Sequence, residues 1–158
     1  MDSGGSIEQA EVGALGMFVG EFRHALDPKK RLTIPATWRA LVAGPKSLYV
    51  LPDFHACCLN IFPAEAMARK LEKIRRHSMS DRKAMDFARR LGSVSELVPW
   101  DVQGRIRIKD KLLEFAGLKD QVVMIGALDR IELWSPEQQP AMEIDQDGLA
   151  EAGLYVDF

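Results

Sequence analysis

The residues best suited to chemistry in this 158-residue chain are an aspartate and an arginine four positions apart, and the pair occurs twice. Asp27-Pro28-Lys29-Lys30-Arg31-Leu32-Thr33-Ile34 and Asp101-Val102-Gln103-Gly104-Arg105-Ile106-Arg107-Ile108 share the form Asp-x-x-x-Arg-apolar-x-Ile. Their Asp residues stand 74 apart (101 minus 27), and so do their Arg residues. An Asp that opens a tight turn accepts hydrogen bonds from the backbone N–H groups just ahead of it. Pro28 pre-sets φ at the second turn position, and Gly104 tolerates positive φ where Lys30 stands in the first copy. If that position is left-handed, Lys30 costs about 1 kcal/mol relative to Gly. An Arg that follows such a turn and starts a strand is pre-placed, and its guanidinium can hold two phosphate oxygens or two guanine acceptors at once. Asp27, Asp101 and Gly104 are therefore expected to organise the turns, with Asp27 and Asp101 pairing with Arg31 and Arg105. The nearby bases Lys29, Lys30, Arg39, Arg107 and Lys109 add positive charge around them. Alone, each Asp–Arg pair could equally be a structural surface ion pair. The duplication favours the binding reading.

The elements that must hold these turns repeat as well. Met17–Leu26, with Phe18, Phe22 and Leu26 on one alternating face, and Val94–Trp100 read as the strands entering the two turns. Each turn is followed by a helix-like stretch, Ala36–Leu41 or Lys111–Ala116, and then by Gly44 or Gly117. Pro35 suits the first turn of one helix, and Asp110 is expected to N-cap the other. Two strand-like runs close each copy, Ser47–Leu51 with Leu59–Phe62 and Gln121–Ile125 with Ile131–Trp134. Between the copies, Met67, Leu71 and Ile74 recur at helical spacing. Ser80 is expected to cap a second helix whose face carries Ala84, Phe87, Ala88 and Leu91. This helical hairpin is expected to lie outside a β core. Its nine bases from Arg69 to Arg90 read first as a solvated face, and Phe62 and Trp134 read as core or subunit-interface residues.

Composition narrows the function classes. Hydrophobic residues make up 47% of the chain and charged residues 28%, enough for a real core. The net charge of −2 is unevenly spread. Residues 1–16 hold three acids and no Lys or Arg, and residues 137–158 hold six acids and none. Residues 17–136 therefore carry 14 acids against 21 bases, or +7. A basic body with acidic ends suits a polyanionic partner. No apolar run is long enough for a membrane span, and the N-terminus lacks the pattern of a signal peptide. Cytoplasm is the expected compartment and no membrane partner is expected. His55, Cys57 and Cys58 do not have zinc spacing, so no metal is expected, and no cofactor motif is present. No nucleophile is matched with a base, so catalysis is not expected. Residues 1–16 and about 140–158 read as flexible tails, although Leu149, Leu154, Tyr155 and Phe158 supply apolar groups able to dock.

The doubled Asp-x-x-x-Arg turn resembles the signature of the MraZ family. So do Met17-Phe18-Val19-Gly20, Leu26-Asp27 through Pro35, Ala116-Gly117-Leu118 and Ile131-Glu132-Leu133-Trp134, and the resemblance covers about residues 17–136. Val19, Lys30 and Lys109 stand where the family usually has Arg, Gly and Pro. The resemblance implies an α+β fold: a double-repeat AbrB-like swapped-hairpin β-barrel with an external helical hairpin. Its parts would be an N-terminal extension (1–16), repeat 1 (17–63), the hairpin connector (64–93), repeat 2 (94–136) and an acidic C-terminal tail (137–158). It further implies a nucleoid-associated regulator that binds double-stranded DNA at tandem promoter repeats ahead of the division and cell-wall gene cluster. The partner besides DNA would be the chain itself, in a ring homo-oligomer such as an octamer or dodecamer. Arg31 and Arg105 would come nearest to base edges, with Lys29, Lys30, Arg39, Arg107 and Lys109 on phosphates. The competing reading is a protein-binding module that modulates a neighbouring enzyme without touching DNA.

Overall fold

The computed structural model describes residues 16–158. The expectation for the N-terminal extension falls almost wholly on residues 1–15, outside the described residues. The elements run β1 (Glu21–Ala25), β2 (Arg31–Thr33), α1 (Ala36–Arg39), β3 (Ser47–Pro52), β4 (Leu59–Phe62), α2 (Ala64–Arg75), α3 (Arg82–Val94), β5 (Glu96–Pro99), β6 (Arg105–Arg107), α4 (Asp110–Phe115), β7 (Gln121–Gly126), β8 (Ile131–Trp134) and α5 (Gln146–Tyr155).

The two halves trade strands. Two backbone bonds close the tip of the first hairpin, Lys30 N–H to the Asp27 carbonyl (2.8 Å) and Asp27 N–H to the Arg31 carbonyl (3.0 Å), and its arms then part. β1 goes to β7 of the second half and β2 to β6. The second hairpin behaves the same way. Asp101 N–H bonds the Arg105 carbonyl (3.0 Å), then β5 joins β3 and β6 joins β2. The outcome is an antiparallel sheet in the order β1-β7-β8-β4-β3-β5 and a separate two-stranded ribbon, β2·β6. Exchanging the halves and reversing this order reproduces it. The family resemblance implies a swapped-hairpin β-barrel, but the described residues form no closed barrel: the sheet is open, with β1 and β5 at its edges. The reason is that β2 and β6 pair with each other and so do not bridge those edges.

Burial follows the repeat. Leu32 and Ile106, Ile34 and Ile108, Leu48 and Val122, Val50 and Met124, Leu59 and Ile131, and Ile61 and Leu133 are matched positions, each no more than 1% exposed. Trp38 and Leu112 are likewise matched and buried. All fourteen lie in one cluster between the ribbon, the short helices and one face of the sheet. Burying aliphatic side chains at this density is the main drive for folding, at about 1.5–3 kcal/mol each. Phe18 and Phe22 meet Trp38 edge to face, with centroids 6.1 and 4.8 Å away. The Trp38 indole N–H donates to the Val19 carbonyl at 2.9 Å. That backbone also presses on Gly126, where a Cβ would meet the Phe18 carbonyl carbon at 2.6 Å.

The hairpin α2–α3 covers the other face of β3 and β4 through a smaller cluster of Leu51, Phe62 and Ala66, with Met67 and Leu91 against it. Two caps differ from expectation. Asp81, not Ser80, caps α3, its carboxylate accepting from Ala84 N–H at 3.1 Å, while the Ser80 hydroxyl contacts that of Ser78. Ser and Asp are comparable N-caps, and the negative charge of Asp81 in addition suits the positive end of the helix dipole. Lys109 takes the cap position of α4, and Asp110 is its first residue, an acid in the first turn that suits the helix dipole. The C-terminal stretch, expected as a tail, contains α5, with the Asp145 carboxylate accepting from Gly148 N–H at 3.2 Å.

Candidate nucleic-acid interface

The ribbon is short and strictly alternating. Leu32 and Ile106 face the core, so Arg31, Thr33, Arg105 and Arg107 share its outward face. The register sets Arg31 opposite Arg107 and Thr33 opposite Arg105. Like charges directly across an antiparallel pair repel, so this face needs anions to balance it.

The turns supply part of that balance by the same bonds in both copies. Asp27 Oδ1 accepts from the backbone N–H of Lys29 (2.9 Å) and Arg31 (2.7 Å), and Oδ2 accepts from Arg31 Nε (2.6 Å). Asp101 repeats this with Gln103 (2.9 Å), Arg105 (3.0 Å) and Arg105 Nε (2.8 Å). The backbone hydrogen bond from Arg31 holds the Asp27 carboxyl below the usual carboxylate range, aided by the Arg31 side chain and opposed by burial. The Arg105 backbone N–H does the same for Asp101. Each aspartate thus grips its arginine by Nε. The Nη groups of Arg31 and Arg105 have no protein hydrogen-bond partner among the described residues. The two side chains remain 30% and 27% exposed, half-buried and steadied yet reachable.

The other expected bases are placed around this face in different ways. Lys30 has φ of 59° and Gly104 has φ of 79°, so both turns use the left-handed conformation. Arg39, from α1, crosses to the second turn: its Nε donates to the Ile34 carbonyl (3.0 Å), and its guanidinium lies where a Cβ on Gly104 would be. The position matching Arg39 in the second copy is Leu113, which has no guanidinium to lay over the first turn, and Lys30 stands there. Lys30 Nζ reaches Asp110 at 3.4 Å, and Arg107 bonds the same carboxylate at 2.8 Å. The Arg107 hydrogen bond first, then that of Lys30, lowers the Asp110 pKa. Lys29 stands exposed on the first turn. Lys109 is half-buried at the start of α4, its backbone N–H held by Glu96 Oε1 (2.9 Å). Sequence reasoning missed Thr33 and Asp110 as members of this face. Strand alternation pointed to Thr33; nothing local signalled that Asp110 would meet Lys30 across 80 residues.

Away from the ribbon, Asp53, Cys58 and Glu132 come close together. Arg130 supplies their cation, bonding Glu132 at 2.9 Å, while Asp53 accepts from Asn60 Nδ2 and from the N–H groups of His55 and Ala56. Burial pushes the Cys58 thiol up to about 12, so it stays protonated. Cys57 and His55 are exposed, whereas Cys58 is buried.

A family model described as "MraZ protein, putative antitoxin-like" matches residues 96–146. Three similar curated proteins are each named transcriptional regulator MraZ. One, from Thermomicrobium roseum, is 36% identical over 125 residues, 79% of this chain and 86% of the relative. Another, from Clostridium beijerinckii, is 35% identical over 138 residues, 85% and 95% of the two chains. A third, from Kocuria rhizophila, is 40% identical over 119 residues, 75% and 80%. Identity at this level, spread over most of both chains, has one meaning: the chain belongs to the MraZ family, a family of transcriptional regulators and not of enzymes.

Proposed function

We propose that the chain is a DNA-binding transcription regulator that presents its β2·β6 ribbon to the duplex. The carrying observation is the outward row of Arg31, Arg105 and Arg107: Asp27 and Asp101 clamp Arg31 and Arg105 at Nε and leave their Nη groups over, while Asp110 holds Arg107 through an Nη group. A major groove about 12 Å wide admits a two-stranded ribbon. Guanidinium groups fixed on such a ribbon lose little entropy on docking and bond acceptors in pairs. Arg31 and Arg105 reach the base edges in this reading. Lys29, Lys30, Arg39, Arg107 and Lys109 meet phosphates on either side.

The strand exchange supports reading residues 17–63 and 94–136 as two swapped-hairpin, AbrB-like units, with 64–93 as connector and 137–158 as an acidic appendage. One ribbon offers few contacts, and nonspecific binding of such a module is only about 10⁻⁴ to 10⁻⁶ M at physiological salt. A ring of copies on tandem promoter repeats gains affinity through effective concentration. The proposed targets are repeats ahead of the division and cell-wall genes, which puts the protein in the cytoplasm at the nucleoid. Arg31→Ala and Arg105→Ala should each weaken binding to the protein's own upstream DNA about tenfold or more in a gel shift. Unchanged affinity in both folded variants would overturn the reading.

A further inference from the structure

The C-terminal helix α5 has no buried residue. Leu154 is 82% exposed, and Tyr155 and Phe158 are essentially bare. A run of large apolar groups left in water marks a contact surface. The segment that carries it, residues 137–158, has six acids and no base.

The complementary surface lies elsewhere on the molecule. Between the hairpin α2–α3 and the sheet lies a cavity of about 290 Å³, with apolar walls that include Phe54, Phe62, Phe87 and Leu91. Phe54 and Phe87 meet edge to face at 5.7 Å, yet both remain more than 40% exposed. Lys70 and Lys73 line the same cavity, Lys70 standing 4.6 Å from the Phe62 ring centre. Residues 64–93 carry nine bases against four acids. An apolar, acidic helix thus stands free on a molecule with an open apolar, basic groove.

We propose that α5 of one copy docks in the α2–α3 groove of a second copy, with Leu154 and Phe158 packing over the Phe54–Phe87 pair and the acids facing Lys70 and Lys73. Each copy then carries one plug and one socket. Such unlike surfaces join head to tail and close into a ring when the rotation allows. This deepens the self-association proposed above and rests on none of the DNA contacts.

The test uses two full-length variants followed by sedimentation velocity across a range of concentrations. The plug variant is Leu154→Asp with Phe158→Asp, and the socket variant is Lys70→Glu with Lys73→Glu. Leu154, Phe158 and Lys73 are exposed and Lys70 is half-buried, and circular dichroism checks that both variants fold. The unaltered chain should assemble, with association weakening as salt rises. Each variant alone should run as a monomer, its association at least about tenfold weaker. Mixed one to one, they should form a discrete dimer, because one intact plug meets one intact socket and growth stops there. Assembly of either variant at the unaltered mass would overturn the proposal. So would a mixture that stays monomeric, or a monomeric unaltered chain, the latter meaning that the helix folds back on its own groove. Gel shifts with the Arg31 and Arg105 variants judge the DNA reading separately.

Discussion

At Gly104 two constraints meet: a left-handed backbone and a guanidinium resting on the α-carbon. Lys30 meets only the first, since Leu113 replaces the arginine that would cover it. Gly104→Ala should therefore cost about 1–2 kcal/mol for the backbone, and more for the displacement of Arg39. Lys30→Gly should be neutral or stabilising by about 1 kcal/mol, since it relieves the same strain. Urea unfolding of both variants checks the pair, and equal losses would contradict the asymmetry. The left-handed turn itself was legible in the sequence, because Gly104 and Lys30 stand at the same place in a repeated motif. The cover was not legible. Arg39 lies 65 positions before Gly104, and only the fold brings its guanidinium there.

The ribbon is three residues long on each side, and among the described residues no ladder ties it to the sheet. What seats it is Leu32 and Ile106, each 1% exposed. Truncating either to Ala should cost about 2–5 kcal/mol. It should also weaken DNA binding while leaving every outward base in place, because the arginines lose their footing. Denaturation and gel shifts on Ile106→Ala measure both effects; unchanged affinity at reduced stability would mean that the ribbon need not be rigid. Alternation around Leu32 and Ile106 made these strands readable, and helical spacing did the same for α2 and α3. Cap positions were read less well, because Ser80 and Asp81 are both good caps and only competition for Ala84 N–H separates them. The stretch around α5 read as a tail because its apolar residues form no periodic buried face among the described residues.

Over the whole molecule, neither half is self-sufficient. β1 needs β7, β3 needs β5, and the ribbon needs a strand from each side. A fragment of residues 17–93 should show no stable folded monomer and should acquire structure only as a dimer of fragments. Circular dichroism with concentration-dependent sedimentation tests this, and a folded monomeric fragment would contradict the exchange. The repeat announced two units, but no sequence pattern states which strand pairs with which, since β1 is compatible with either half. Because both halves sit in one chain, a substitution alters one turn and spares its twin. Lys30 against Gly104, Arg39 against Leu113 and Thr33 against Arg107 record that freedom. A dimer of identical half-chains would look the same from either direction along a double helix. This molecule has a front and a back, so the sequence it favours should carry a direction too, and successive copies would travel the duplex nose to tail.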